Sequence, residues 1–217
     1  MTDEERFRVF LASMEPDLPE QLRELEQACK RDKVPLIRPQ MQSLLRVLTA
    51  QIRPRRILEI GTGAGFSALF MYSCAGDSPE IVTIESDPSR AQKARENFDR
   101  SGCPDRFRLL EGDASRVLPA LDGSFDLIFM DAAKGQYIHW LPDMRRLMHT
   151  GSVLVSDNVL QEGRLLESRY MVERRDRTIY RRMREYLHAL THDPGLATTI
   201  LPIADGAALS VRLEEKT

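Results

Sequence analysis

Cysteine is scarce and unpatterned: Cys29, Cys74 and Cys103 are odd in number and lie far apart. No CxxC pair or zinc spacing appears, which argues against a disulfide framework and for reduced thiols in a cytoplasmic protein. Long apolar runs are missing as well. Nothing approaches the ~20 residues a membrane helix needs, and the acidic start MTDEERF has no apolar signal region. No membrane partner is expected. Neither charge sign dominates, with 31 Lys and Arg against 33 Asp and Glu for a net charge of -2. The whole molecule is therefore no polyanion binder, and any nucleic-acid surface must be local. Internal repeats, low-complexity tracts and Gly/Ser linkers are absent, so the 217 residues read as one domain with a single sizeable core.

What is present changes rhythm near Arg55. Before it, residues 1–53 read as a helical cap. Pro19 suits a first helical turn, with Leu18, Leu22 and Leu25 at helical spacing behind it, and Met41, Leu44, Leu45 and Leu48 share a face after Pro39. From 54 to 217 short strand-like runs take over: RRILEI, EIVTIES, RFRLLEG, FDLIFMD and GSVLVSD, with helical stretches such as DPSRAQKARENF between them. That alternation predicts βαβ units and a parallel sheet. ATTILPI and ALSVRLE then flank Ala204-Asp205-Gly206, a hairpin signal that adds at least one antiparallel strand. Nicotinamide-type Rossmann sheets usually stay parallel throughout.

Glu59-Ile60-Gly61-Thr62-Gly63-Ala64-Gly65 follows the first strand and opens a helix. Glycines let backbone approach a ligand closely, and a helix start offers free N–H groups. Phe66 stands where a dinucleotide fingerprint needs its third glycine, so the motif is GxGxG. That form suits a ligand without phosphates, such as S-adenosylmethionine; the bland alternative is a tight strand-to-helix turn. Glu85 ends the second strand, where an acid accepts from a ribose diol, and Asp113 follows the third, placed to read an adenine edge. Glu59, Glu85, Asp113, Asp131 and Asp157 all fall at or near strand ends, where open α/β sheets bind ligands.

Asp131 ends the fourth strand and Asp157-Asn158 ends the fifth. Adjacent strands lie about 4.8 Å apart, so these groups can converge. Two carboxylates and an amide oxygen form a hard-ligand set suited to Mg²⁺. The competing reading is that Asp157-Asn158 only caps a following helix. Lys134, three residues after Asp131, is either a catalytic amine beside that site or a surface residue at a helix start.

LEIGTGAGFS, TIES, GDA, MDAAKGQY and SDNVL together resemble the catechol/caffeoyl-CoA-type, metal-dependent O-methyltransferases, over nearly the whole chain from VPLIRP onward. The resemblance implies a Rossmann-like α/β fold: a seven-stranded, mostly parallel sheet with a C-terminal antiparallel hairpin strand, behind N-terminal helices that mediate a homodimer. It implies S-adenosylmethionine and Mg²⁺ as cofactors. It makes Asp131, Asp157 and Asn158 the metal ligands and Lys134 the catalytic lysine. Ile37, Ser67, Glu85, Asp113 and Ala114 match cofactor contacts, together with Glu59, Gly61 and Gly63 of the loop segment and Asp131. Within the family, KGQY, the DPGLATTILPIADGAALS ending and the length are most similar to bacterial tRNA methyltransferases acting on wobble 5-hydroxyuridine. Small-molecule members tend to place an aromatic after the DNV segment, where this chain has Gln161-Glu162-Gly163. These three positions offer no aromatic clamp for a catechol ring.

ESRYMVERRDRTIYRRMREYLHAL is the most unusual composition in the chain. At ~100° per residue, Ile179, Met183, Tyr186, Leu187 and Leu190 share one helical face and Arg174, Arg177, Arg181 and Arg184 the other. The arginines are a solvated face or a stripe that tracks tRNA phosphates. His188 and His192 stand four apart with no third ligand evident. Four functions compete: tRNA wobble O-methylation, the same chemistry on a catechol-like acceptor, NAD-dependent hydride transfer, and non-catalytic RNA binding. Phe66, the SDN motif and the hairpin disfavour the third, and the acid set with Lys134 disfavours the fourth.

Overall fold

The computed structural model describes residues 3–161, 163–166 and 172–214. Three helices come first: α1 (Asp3–Ser13), α2 (Glu20–Arg31) and α3 (Pro39–Ile52). Pro19 sits just outside α2 rather than within its first turn, while Pro39 opens α3, where its fixed φ and missing N–H cost nothing. Strands and helices then alternate as β1 (Arg56–Ile60), α4 (Phe66–Cys74), β2 (Glu80–Glu85), α5 (Pro88–Arg100), β3 (Phe107–Glu111) and α6 (Ala114–Val117). They continue as β4 (Phe125–Met130), α7 (Tyr137–Arg146), β5 (Met148–Ser156), α8 (Arg177–His192), β6 (Leu196–Leu201) and β7 (Ala207–Arg212).

The seven strands form one sheet in the order β3-β2-β1-β4-β5-β7-β6. All pairs from β3 to β5 are parallel, and β7 alone runs the other way, inserted between β5 and β6. The central strands β1, β2 and β4 and the second half of β5 are largely buried because helices cover both faces, whereas β3 and β6 at the sheet edges are partly exposed. Alternate side chains enter two cores. Ile57, Leu127, Phe129 and Val155 pack against α2–α5, while Leu58, Ile128, Met130 and Leu154 pack against α6–α8. Leu22, Met41 and Leu45 join the first core, so the helical segment shares the sheet's interior.

The Asp-Gly signal marks the hairpin, but the connection runs over residues 202–206 instead of a tight two-residue turn. Its tip is needed elsewhere: the carbonyls of Asp205 and Gly206 accept the backbone N–H groups of Leu160 and Val159, at 3.0 and 2.9 Å. The hairpin thereby clamps the segment that follows Asp157. Among the described residues no helix is long and apolar enough to cross a membrane.

Candidate active site

Backbone hydrogen bonds carry the sheet one residue past its strands. Asp131 N–H donates to Ile60 C=O and Asp157 N–H to Met130 C=O, both at 2.9 Å, and Gly112 N–H to Glu85 C=O at 2.8 Å. The carboxyl ends of β1, β4 and β5 therefore stand side by side, and so do their acids. Gly61 makes the closest approach: a Cβ there would lie 2.1 Å from the Asp131 carbonyl oxygen, at a φ of +97°. Only glycine permits this contact.

A cleft of about 340 Å³ opens above the loop, and Ile37, Gly61, Gly63, Ser67, Glu85 and Asp131 are among its lining residues. A smaller hollow of about 190 Å³, also reaching Gly61, is lined by Asp113, Ala114, Gln136 and Trp140 among others. Of the expected cofactor residues, one is displaced. Glu59 is not on the cleft wall but beneath it, at 0% exposure. The alternation of β1 turns it inward, where its two oxygens accept the Ser67 and Thr83 hydroxyls at 2.5 Å each, and Thr83 is linked to Thr62 at the same distance. Burial lifts the Glu59 carboxyl to about 7 against the pull of those two hydroxyls. Glu85, buried at the cleft edge, accepts the N–H groups of Gly63 and Asp87, each at 2.9 Å. Asp113 is exposed and its carboxylate caps α6 through Ser115 N–H at 2.8 Å, which holds it below the usual carboxylate range.

Asp157 is 2% exposed. Burial, and then the repulsion of Asp131, push its carboxyl up to about 7. One Asp157 oxygen accepts Asn158 N–H at 2.6 Å, and Asn158 is in the left-handed region with φ +56°. The capping reading finds no support: a turn follows, and no helix begins at Asn158. Asp131 meets the Lys134 ammonium at 2.7 Å. Lys134 opens a single 3-10 turn and is part-buried, not a free surface residue. The donor set is all oxygen, two converging carboxylates with an amide neighbour, and burial makes it costly without a cation. It fits a hard divalent ion with waters or substrate completing the shell. Among the described residues no cluster of three or more His, Cys, Asp or Glu offers a richer site.

Sequence reasoning missed Tyr137 and Trp140. Tyr137 is fully buried, and its hydroxyl stands 3.3 Å from Lys134 Nζ; Trp140 Nε1 donates to Ser115 Oγ at 3.0 Å under the smaller hollow. Both lie on the apolar face of α7 and so look like plain core. The only hint was the position of Tyr137, three residues after Lys134.

The arginine segment is partly rearranged. Arg174 precedes α8, whereas Arg177 and Arg181 lie on it, and all three are exposed. Arg184 is engaged with Leu165 C=O and the Tyr180 hydroxyl, at 3.1 and 3.2 Å. Ile179 remains 39% exposed, and Tyr180 takes its expected place in the core. Arg182 Nη1 donates to Gly135 C=O at 3.2 Å, fastening α8 to the Lys134 turn. His188 and His192 stack on each other at 3.8 Å. Glu162 and residues 167–171 lie outside the described residues.

Residues 12–213 match the O-methyltransferase family. A catechol O-methyltransferase of Mycobacterium tuberculosis is 40% identical over 128 residues, an alignment that spans 58% of this chain and 58% of that enzyme. Among solved structures, cofactor-bound Rv0187 from MTB superposes with a TM-score of 0.86 at 31% identity, covering 99% of this chain and 100% of that one. The methyltransferase PaMTH1 of Podospora anserina, bound to SAH, gives 0.87 at 27% identity over 99% of this chain and 97% of its own.

Proposed function

The chain belongs to the O-methyltransferase family, and we propose that it methylates the hydroxyl of 5-hydroxyuridine at the tRNA wobble position, using S-adenosylmethionine and Mg²⁺. The observation that carries the chemistry is the meeting of the glycine cleft with Asp131, Lys134 and Asp157 at three adjoining strand ends. Gly61, Gly63, Ser67, Ile37 and Glu85 hold the methyl donor, with Asp113 and Ala114 at its adenine end. Asp131, Asp157 and Asn158 hold the metal. When bound, the donor contributes an electrophilic sulfonium methyl, and the cation contributes a Lewis acid that acidifies an acceptor hydroxyl.

The chain's own residues do the rest. Asp131 and Asp157 fix where the acceptor oxygen must stand. Lys134, poised on Asp131, removes its proton or balances the oxyanion. Support for tRNA as acceptor comes from the exposed Arg174, Arg177 and Arg181, from the Arg182 link between their helix and the Lys134 turn, and from the motif resemblance. A catechol-like acceptor is the second reading, favoured by the 40% identity to a catechol O-methyltransferase. A second copy of the chain is the expected partner at the N-terminal helices, where Phe7, Val9 and Phe10 of α1, Met14 just after it and Val47 of α3 are exposed.

Incubation of the purified enzyme with tRNA bearing 5-hydroxyuridine, followed by nucleoside mass analysis, should show 5-methoxyuridine, lost in chelator and restored by Mg²⁺. Replacing Arg174, Arg177 and Arg181 with glutamine should weaken tRNA binding and flatten its salt dependence by about 0.7–0.9 in logarithmic slope per lost phosphate contact. Methylation of free catechol with inert tRNA would instead establish the second reading.

A further inference from the structure

Tyr137 stands where the Asp131 turn, the Asp157 turn and the Lys134 amine meet, and the amine also lies over its ring, 5.5 Å from the centroid. Its phenol oxygen makes four contacts. It receives Ala132 N–H at 3.1 Å and the Lys134 ammonium at 3.3 Å, and it lies 3.1 Å from Met130 C=O and 3.4 Å from Asp157 C=O. A phenol has two acceptor positions and one proton, so two donors fill the oxygen and the proton is shared between two carbonyls. No capacity is left over.

The partners are what make this arrangement specific. Met130 is the last residue of β4 and Ala132 the first after Asp131, so the hydroxyl straddles one metal-binding aspartate along the chain. Asp157 C=O belongs to the other aspartate, beyond the end of β5. One oxygen thus spans both carboxylate-bearing turns. The ring itself is fixed: the residue is fully buried and packs edge-on against Tyr186, with centroids 5.4 Å apart. Beyond the strand ends the ladder between β4 and β5 has stopped, and a single backbone bond, Asp157 N–H to Met130 C=O, continues it.

We infer that Tyr137 is a positioning residue whose hydroxyl sets the separation of the Asp131 and Asp157 turns and tethers the Lys134 amine beside them. The inference rests on the reading of those aspartates as metal ligands. It predicts that removing one oxygen, with the ring kept, loosens a metal site that this oxygen never touches.

The test compares Tyr137→Phe with Tyr186→Phe, which removes a similarly buried hydroxyl bonded at 2.6 Å to Ser156 Oγ and to no group of the site. Mn²⁺ serves as the probe, its free signal followed by electron paramagnetic resonance, with SAH affinity measured by calorimetry alongside. Tyr137→Phe should bind Mn²⁺ about five-fold or more weakly than the parent. SAH binding should be unchanged, and Tyr186→Phe should bind Mn²⁺ as the parent does. Parent-like Mn²⁺ binding by Tyr137→Phe overturns the inference, as does equal weakening in both variants. A parent that binds no Mn²⁺ removes the metal reading itself, and the inference with it. Should Tyr137→Phe not fold, hydrogen exchange on the parent decides: the Ala132 amide, past the strand end, should be protected by the phenol, and fast exchange there overturns the tether.

Discussion

Glu59 carries a carboxyl into a place closed to bulk solvent. Its two hydroxyl donors stabilise the charged form, but burial wins and leaves it at about 7 instead of an ordinary 4.5. The sign of the consequence follows. In strong acid the folded and unfolded chains both hold this proton, and the stabilising contribution is complete. As pH rises past 4.5 the unfolded chain releases its proton first, and the contribution is gone once pH has passed about 7. Glutamine keeps the shape and can bond both hydroxyls without a charge. The melting temperature of Glu59→Gln relative to the parent should therefore improve from pH 5 to pH 8.5, by at most roughly 2–3 kcal/mol in stability. Parallel melting curves across that range would remove the ionisation from Glu59. At this scale the sequence reveals acids but not their surroundings. Asp131 and Asp157 were legible because a core run stopped on each. The inward turn of Glu59 follows from strand alternation, yet a second-to-last strand position leaves one residue of slip between wall and interior. Tyr137 gave no such sign, since an aromatic on an apolar helix face is what any core contains.

The loop between β1 and α4 separates two uses of glycine that a motif cannot distinguish. Gly61 is pressed against the Asp131 backbone, so a methyl group must move the end of β4. Gly63 has φ +55° and nothing within 4 Å of a built Cβ, although it lines the cleft. Gly61→Ala should cost roughly 2–4 kcal/mol of stability and disturb Asp131. Gly63→Ala should cost about 1–2 kcal/mol while weakening SAH binding several-fold. Thermal melts beside calorimetry separate the two, and equal losses of stability would show that the loop tolerates both or neither. Strands β1, β2, β4 and β5 were readable because burial on both faces makes apolar runs bounded by turns, and the edge strand β3 by its place in the strand–helix alternation. α8 was read with the right hydrophobic period, but its beginning was set too early, which placed Arg174 on a helix it precedes. Local charge pattern continues across a helix boundary that only the fold determines.

At the scale of the whole molecule, the described residues leave a group of large apolar side chains exposed near the N-terminus. Phe7 and Phe10 of α1 and Met14 just beyond it are each more than half exposed. On the proposed pairing with a second copy, Phe7→Glu with Phe10→Glu should bring the mass measured by light scattering from twice the 24.8 kDa chain down to a single chain. A parent of single-chain mass would leave that surface to another partner. The sheet order, by contrast, lies beyond local pattern. Asp-Gly announced a hairpin, but nothing in the run of residues shows that β7 would enter between β5 and β6. That insertion sets a timetable for synthesis. Until residues 207–212 leave the ribosome, β5 keeps an open edge and the turn after Asp157 lacks the Asp205 and Gly206 carbonyls that clamp it. A nascent chain can assemble its glycine loop and the Asp131 turn early, but the turn that follows Asp157 is clamped only once the hairpin has emerged.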